Sequence, residues 1–383
     1  MNKNILVFIL AATIGLTSQV VAQEKEQMQA SLPENSNVVS LTLKDGTSYV
    51  GEAKRKRPHG HGKAVYKNGD TYEGTFVKGK REGRGVYRFK DGEWYEGEFL
   101  ADRQHGKGVY HFADGSVYDG LWNIDYQHGY GRIEYPNGDF YVGTWVEDQR
   151  SGNGSYFFKS GASYTGEWKN GRYAGNGTFV WSDNSRYVGM WNNGMRNGEG
   201  LYVSADGSTY EGAWVNDMCE GAGKFVSVSG ETYVGSFKDG KWHGKGKYTS
   251  PDGSSYEGSF VNGKREGHGH LYLSNGDVYY GNWEGNKRSG RGKYTWANGD
   301  VYEGDWKNDK MNGGGMLRLS NGIRYKGGFV NGEEHGAGVA IDKDGMRYEG
   351  TFVEGQRNGK FIVKDEQGKL VRECVYNLGT LQN

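Results

Sequence analysis

The chain has 383 residues, with 47 basic and 47 acidic side chains, so its formal net charge is zero and argues against a general nucleic-acid binder. Its 67 glycines exclude a helical fold, since each costs roughly 1 kcal/mol inside a helix. Its 4 prolines are too few for collagen or polyproline, and its 2 cysteines are too few for a disulfide framework.

Taken from the N-terminus, residues 1–22 read as a secretory signal peptide. Asn2-Lys3-Asn4 is a short charged start. Ile5 to Leu16 is an apolar run of about twelve residues, too short to span a bilayer. Val20-Val21-Ala22 puts small residues before a cleavage point at Gln23. The expectation is export to periplasm, cell surface or medium; an uncleaved anchor is the alternative. Residues 23–37, rich in Gln, Glu, Ser and Asn, read as a disordered leader. Leu41 and Leu43, followed by Asp45-Gly46, fill the slots of a preceding strand and cap an array expected over 38–376, with a tail over 377–383.

From Tyr49 a tyrosine recurs every 23 residues, fourteen times, to Tyr348. A period of that size means stacked supersecondary units. Counting from the tyrosine, Gly stands at plus two and plus eleven in every copy. Trp or Phe stands at plus four in all but the first copy, which has Ala53. Gly stands at plus thirteen except at Phe361, and at plus twenty except at Asn184. Positions zero, two and four share one face of an extended strand. Asn-Gly and Asp-Gly pairs such as Asn68-Gly69 and Asp91-Gly92 match a type I′ hairpin turn. Each repeat therefore reads as a hairpin of two short strands, from zero to plus five and from plus twelve to plus eighteen. The fold class is all-β: an elongated single-layer antiparallel β-hairpin repeat array with terminal capping strands. At the closing end Val371 stands where a tyrosine is due and Val375 where a tryptophan is due.

Tyr72-Glu73-Gly74-Thr75-Phe76-Val77-Lys78-Gly79, followed by Gly83-Arg84-Gly85, resembles the MORN repeat, as do the other copies over positions 44 to about 368. The resemblance implies scaffolds, protein-interaction modules or dimerisation rods, with phospholipid association in some members. In some relatives a lipid kinase or methyltransferase domain follows the repeats; no segment here matches one, so those activities do not carry over.

Cys219 lies in a hairpin loop by this reading and Cys374 in the closing cap. Six repeats separate them, roughly 57 Å, far beyond the reach of one disulfide. The loop at plus eight and plus nine is rich in Lys and Arg, giving a candidate anion-binding edge of Lys80, Arg81, Arg103, Lys264, Arg265, Lys287 and Arg288. The opposite turns carry Asp91, Asp114, Asp206, Asp252 and Asp344. A candidate aromatic face comprises Tyr141, Trp145, Tyr164, Trp168, Tyr187 and Trp191; its simpler role is to pack the array itself. The pairs His59/His61 and His268/His270 are at most weak metal sites. No catalytic, metal or cofactor constellation is expected.

Three functions compete. The first is a non-catalytic exported scaffold that binds a protein partner of unknown identity, with a homodimer as one form. The second is peripheral binding to an anionic phospholipid or cell-surface polymer through the basic edge. The third is cell-wall carbohydrate binding by the aromatic face.

Overall fold

The computed structural model describes residues 38–382. The signal-peptide and leader readings lie outside the described residues. Among those residues there is no helix, and the strands form a 31-stranded antiparallel sheet. The described chain divides into two compact units, one ending at Gly131 and the other beginning at Arg132.

Each repeat contributes a strand of 7 and a strand of 9 residues, as in Thr71–Val77 and Lys80–Arg88. The second strand thus begins at plus eight, four residues before the position expected from the sequence. The turn between them is only two residues long, Lys78-Gly79, and both have positive φ (54° and 85°). Such a type I′ pair matches the twist of the flanking strands. Asn262-Gly263 repeats this in the second unit, with φ of 50° and 79°.

The type I′ assignment of the pairs at plus nineteen and plus twenty is corrected. In Asn68-Gly69 only the glycine is left-handed, at φ 98°. Gly69 N–H donates to the Tyr66 carbonyl at 3.0 Å, and Tyr66 N–H to that of Asp70 at 2.9 Å. This is a type I turn closed by a bulge glycine, which needs one left-handed residue rather than two. The dipeptide is the same in both turn types, so only the spacing to the flanking strands separates them.

A second irregularity decides which side chains meet. Gly74 faces Gly85 and Phe76 faces Arg81, so one residue on the first strand opposes three on the second. Gly83, at plus eleven, sits in this bulge with φ 65°. The bulge brings plus nine, rather than plus eleven, directly opposite plus four.

The core is one aromatic layer. In the first unit Tyr72 has 0% of its surface exposed. Its ring lies flat on the facing glycines: a Cβ on Gly85 would come within 2.4 Å of the phenol oxygen. These are the repeat's own glycines, not a neighbour's. The phenol donates to the Thr75 carbonyl at 3.1 Å. Around the ring stand Phe76 of its own repeat at 5.0 Å and Phe99 of the next at 5.1 Å, both edge-to-face. The second unit repeats the pattern, with Tyr164 between Trp168 at 5.3 Å and Trp191 at 5.5 Å. Each such pair adds about 0.5–1.5 kcal/mol beyond its burial. Trp168 Nε1 also donates to the Gly154 carbonyl at 3.1 Å, tying consecutive repeats.

The closing repeat inverts the arrangement. Phe361 replaces the second glycine, and its ring takes the seat over Gly350, where a Cβ would be 2.7 Å away. Phe361 then packs edge-on against Phe352 and Tyr376, each at 5.3 Å. Tyr348, displaced, donates instead to Asp342 at 3.2 Å. Tyr376, rather than Val375, occupies the tryptophan slot: a register shift near Val363 places it opposite Gly359, as Phe352 lies opposite Gly336. Val375 is exposed. Thr380–Gln382, within the segment expected to be a tail, pairs back onto Leu370–Asn377.

Two glycines of one repeat test the tyrosine seat. A Cβ on Gly246 would lie 2.4 Å from the Tyr233 oxygen, whereas Gly240 has nothing within 4 Å but holds φ 72°. In urea unfolding followed by tryptophan fluorescence, Gly246→Ala should lose about 2–3 kcal/mol through overpacking. Gly240→Ala should lose about 1–2 kcal/mol, the backbone cost alone. Equal losses would show that the seat is not sterically closed.

Candidate functional site

The six aromatic residues picked from the sequence are the inside of the array. Tyr141, Tyr164 and Tyr187 are 0% exposed, and Trp145, Trp168 and Trp191 between 4% and 6%. They cannot touch a partner directly. The accessible part of this face is built from plus nine, plus fifteen and plus seventeen, which the periodicity of tyrosine and tryptophan does not mark.

At plus fifteen and seventeen, Tyr156/Phe158, Phe179/Trp181 and Leu271/Leu273 are all half-buried. Tyr156–Phe158 and Phe179–Trp181 ring centroids lie 4.6 and 4.7 Å apart. Carboxylates at plus twenty-one anchor several of the plus-fifteen phenols from the next repeat. Tyr156 donates to Asp139 at 2.9 Å, Tyr248 to Glu231 at 2.8 Å and Tyr294 to Asp277 at 2.6 Å.

The basic edge is corrected in part. Arg81, Arg265 and Arg288 are at plus nine, which stands opposite the plus-four aromatic on the aromatic side. Their guanidinium carbons lie 5.2 Å from the Phe99 ring, 4.2 Å from Trp283 and 4.3 Å from Trp306. A planar, weakly hydrated cation suits such a surface better than a loop tip. Lys80, Arg103, Lys264 and Lys287, at plus eight, are exposed first residues of their strands. Of these Arg103 pairs with Asp125.

Five of the plus-nine arginines reach the plus-seven turn of the next repeat, while Arg357, in the closing repeat, donates to the Tyr376 hydroxyl at 3.2 Å. Arg288 donates to the Asp309 carbonyl at 2.8 Å and its Nε lies 3.2 Å from the Asp309 carboxylate. Arg196 does the same with Asp217, at 2.9 and 3.0 Å. Arg81 and Asp102 form the third such pair, at 3.5 Å. Other residues fill the slot differently. Tyr173 stacks on Tyr164 at 3.9 Å and Trp242 on Tyr233 at 4.5 Å. Cys219 also occupies it, within the strand Met218–Val226 rather than in a loop, and burial pushes its thiol up. Cys219 and Cys374 are both free.

Two cavities open on the aromatic side of the second unit. One, of about 390 Å³, is lined by Trp242, Tyr248, Phe260, Arg265, Leu271 and Leu273, with Asp252 and Asn286 among its remaining residues. The other, of about 330 Å³, is lined by Arg150, Tyr156, Phe158, Trp168, Gly171 and Tyr173. On the opposite side of the sheet, His268 Nδ1 lies 2.7 Å from Asn282 Oδ1, and His270 packs on Tyr280 with centroids 4.2 Å apart.

Glu334 holds the plus-nine slot in the thirteenth repeat. Burial raises its carboxyl from 4.5 to about 7, only partly offset by Arg357. The folded state therefore holds a proton that the unfolded chain has released between those two values, so this group's contribution to stability is full below about pH 4.5 and falls as pH rises through 7. Thermal unfolding at pH 5 and pH 8 should show a smaller pH-dependent loss in Glu334→Gln than in the parent chain. An unchanged difference would exclude Glu334 as its source.

With this geometry in place, comparison with known proteins is informative at the level of the repeat. The MORN repeat model matches fourteen consecutive segments, from residues 49–71 to 348–360. No curated protein matches the chain. Among solved structures, the TCP10 domain of Danio rerio CPAP is 10% identical, covering 64% of this chain and 94% of that one, with a TM-score of 0.21. The TCP domain of Drosophila melanogaster SAS-4, in complex with a proline-rich motif of Ana2, is 12% identical, with coverage of 54% and 96% and a TM-score of 0.22. A streptogramin B lyase is 13% identical, with coverage of 77% and 91% and a TM-score of 0.13. Scores this low carry no argument about this chain. The repeat matches do, since they span residues 49–360 without a gap: the chain belongs to the MORN repeat family.

Proposed function

We propose that this protein is an exported, non-catalytic repeat scaffold that binds other proteins, itself included, through the half-exposed aromatic side of residues 132–382. The observation that carries this reading is the composition of that surface. Above a closed tyrosine–tryptophan layer it presents Tyr156, Phe158, Phe179, Trp181, Tyr202 and Trp296, all half-buried or nearly so, with arginines laid among them. Tyr, Trp and Arg are the residue types that dominate binding hot spots. An aromatic strip of this kind on a soluble surface calls for a partner. The lipid reading retains only the plus-eight cations, because the plus-nine arginines point away from the edge. The N-terminal apolar run supports export.

Affinity capture from the envelope fraction with the parent chain and with Trp181→Ser tests the reading. The parent should retain a protein partner, and the variant should lose most of it while keeping its near-UV circular dichroism. Equal capture by both would remove the aromatic side from the mechanism. Binding to phosphatidylglycerol vesicles that vanishes at high salt, without protein capture, would favour the lipid alternative instead. Light scattering on the purified chain addresses self-association; a strict monomer at all concentrations would exclude it.

A further inference from the structure

The plus-nine arginines that reach a turn fall into two groups, and the difference lies in the turn that faces them. Arg81, Arg196 and Arg288 each meet an aspartate at plus seven of the next repeat: Asp102, Asp217 and Asp309. Arg265 meets Asn286 there, and Arg150 meets Gly171. Each of these two retains a bond to the turn carbonyl, at 3.0 Å and 3.1 Å. Among the described residues neither has a carboxylate within ion-pair distance. Each still lies on an aromatic ring, Arg265 at 4.2 Å from Trp283 and Arg150 at 4.5 Å from Trp168. Each of the two cavities described above is lined by one of these arginines.

A half-buried guanidinium without a counter-ion beside an apolar cavity is a preformed anion receptor. Desolvation already weighs against the proton on Arg265, so a carboxylate arriving there relieves an existing penalty. We infer that the Arg265 cavity, and by the same construction the Arg150 cavity, binds an acidic side chain of an extended peptide, with a neighbouring apolar side chain lodged among the rings. At Arg265 the apolar pocket is formed by Trp242, Tyr248, Leu271 and Leu273. Asp252 also lines that cavity, but its carboxylate accepts from Ser254 and Ser274 at 3.0 and 3.2 Å, besides the Ser250 hydroxyl. Its charge sets the polarity of the groove: the acidic side chain points to Arg265 and away from the Asp252 turn. A cavity of about 390 Å³ suits one or two side chains. A recessed guanidinium walled by rings favours a peptide over the planar face of a membrane.

This inference rests on the protein-binding function proposed above and names the chemistry of the partner. The turn supplies a variant that should remain folded. Asn286 already holds φ 74°, close to the 77°, 69° and 69° of Asp102, Asp217 and Asp309. Asn286→Asp therefore reproduces the internal pair of the other repeats. It should occupy Arg265 from within and raise the thermal midpoint. Arg265→Gln removes the receptor itself. A displayed library of short random peptides, panned on the full chain, is the probe.

Clones enriched on the parent chain should carry Asp or Glu beside a large apolar residue. Their binding should weaken about tenfold or more in Asn286→Asp and in Arg265→Gln, and likewise when the peptide's acid is changed to its amide. Clones that bind all three chains equally would overturn this site while leaving the scaffold function standing. Absence of any enriched clone would overturn it too. So would Asn286→Asp abolishing adhesion to phosphatidylglycerol vesicles while leaving peptide binding intact, because that would assign Arg265 to a lipid phosphate.

Discussion

Beneath the ring of Tyr233 lies the backbone of Gly235 and Gly246, and above it the indole of Trp242, stacked at 4.5 Å. A sheet with one layer has no second sheet or helix to bury its apolar face. The facing glycines solve this by giving the phenol ring a flat floor at strand level, so that each aromatic residue becomes the wall of its neighbour. Every other regularity follows from that contact. The tryptophan or phenylalanine at plus four must stand edge-on, the bulge at plus eleven must turn plus nine over the ring, and the turn at plus seven must receive what plus nine carries. Burial also holds the phenols in their protonated form, pushing Tyr233, Tyr256 and Tyr279 up to about 12.

The register of tyrosine, paired glycine and aromatic was readable from residues alone because strand alternation is a local rule. The hairpin array and its opening cap followed from it. What could not be read is set by relations across strands. Asn68-Gly69 carries the same dipeptide signal in a two-residue turn as in a bulged three-residue one. Arg81 and Arg288 read as loop cations because nothing in the sequence announces a bulge that places three residues opposite one. Phe361 reads as a lost glycine, yet it restores from the facing strand the ring that the tyrosine can no longer supply. Tyr376 gains its place by a one-residue slip that no period predicts. Tyr141 to Trp191 share one register and lie in the interior, and the accessible surface belongs to the less regular positions that rest on them.

The division of labour between regular and irregular positions has a bearing on how such an array holds partners. Positions zero, two, four and thirteen are used up by folding and barely vary. Plus nine varies among Pro, Arg, Gln, Tyr, Cys, Trp, Met and Glu, and plus seven among Gly, Asp and Asn in most copies. These two slots touch each other across consecutive repeats, so a charge can be neutralised within the fold or left for a ligand by a single residue in a turn. Recognition can then change without disturbing the packing beneath it.

The closing repeat carries a consequence of a different kind. Phe361 fills the last seat from the second strand, and Tyr376 reaches the tryptophan slot only through a register shift, so the closing junction is made by residues that the other repeats do not use. Termination is thus written into one unit, and every unit before it is interchangeable at its junctions. A tandem duplication or deletion in the corresponding DNA would add or remove one whole hairpin upstream while leaving both caps intact. Over evolutionary time the number of ligand-bearing slots is therefore free to change in steps of 23 residues, with no intermediate that has to fold badly.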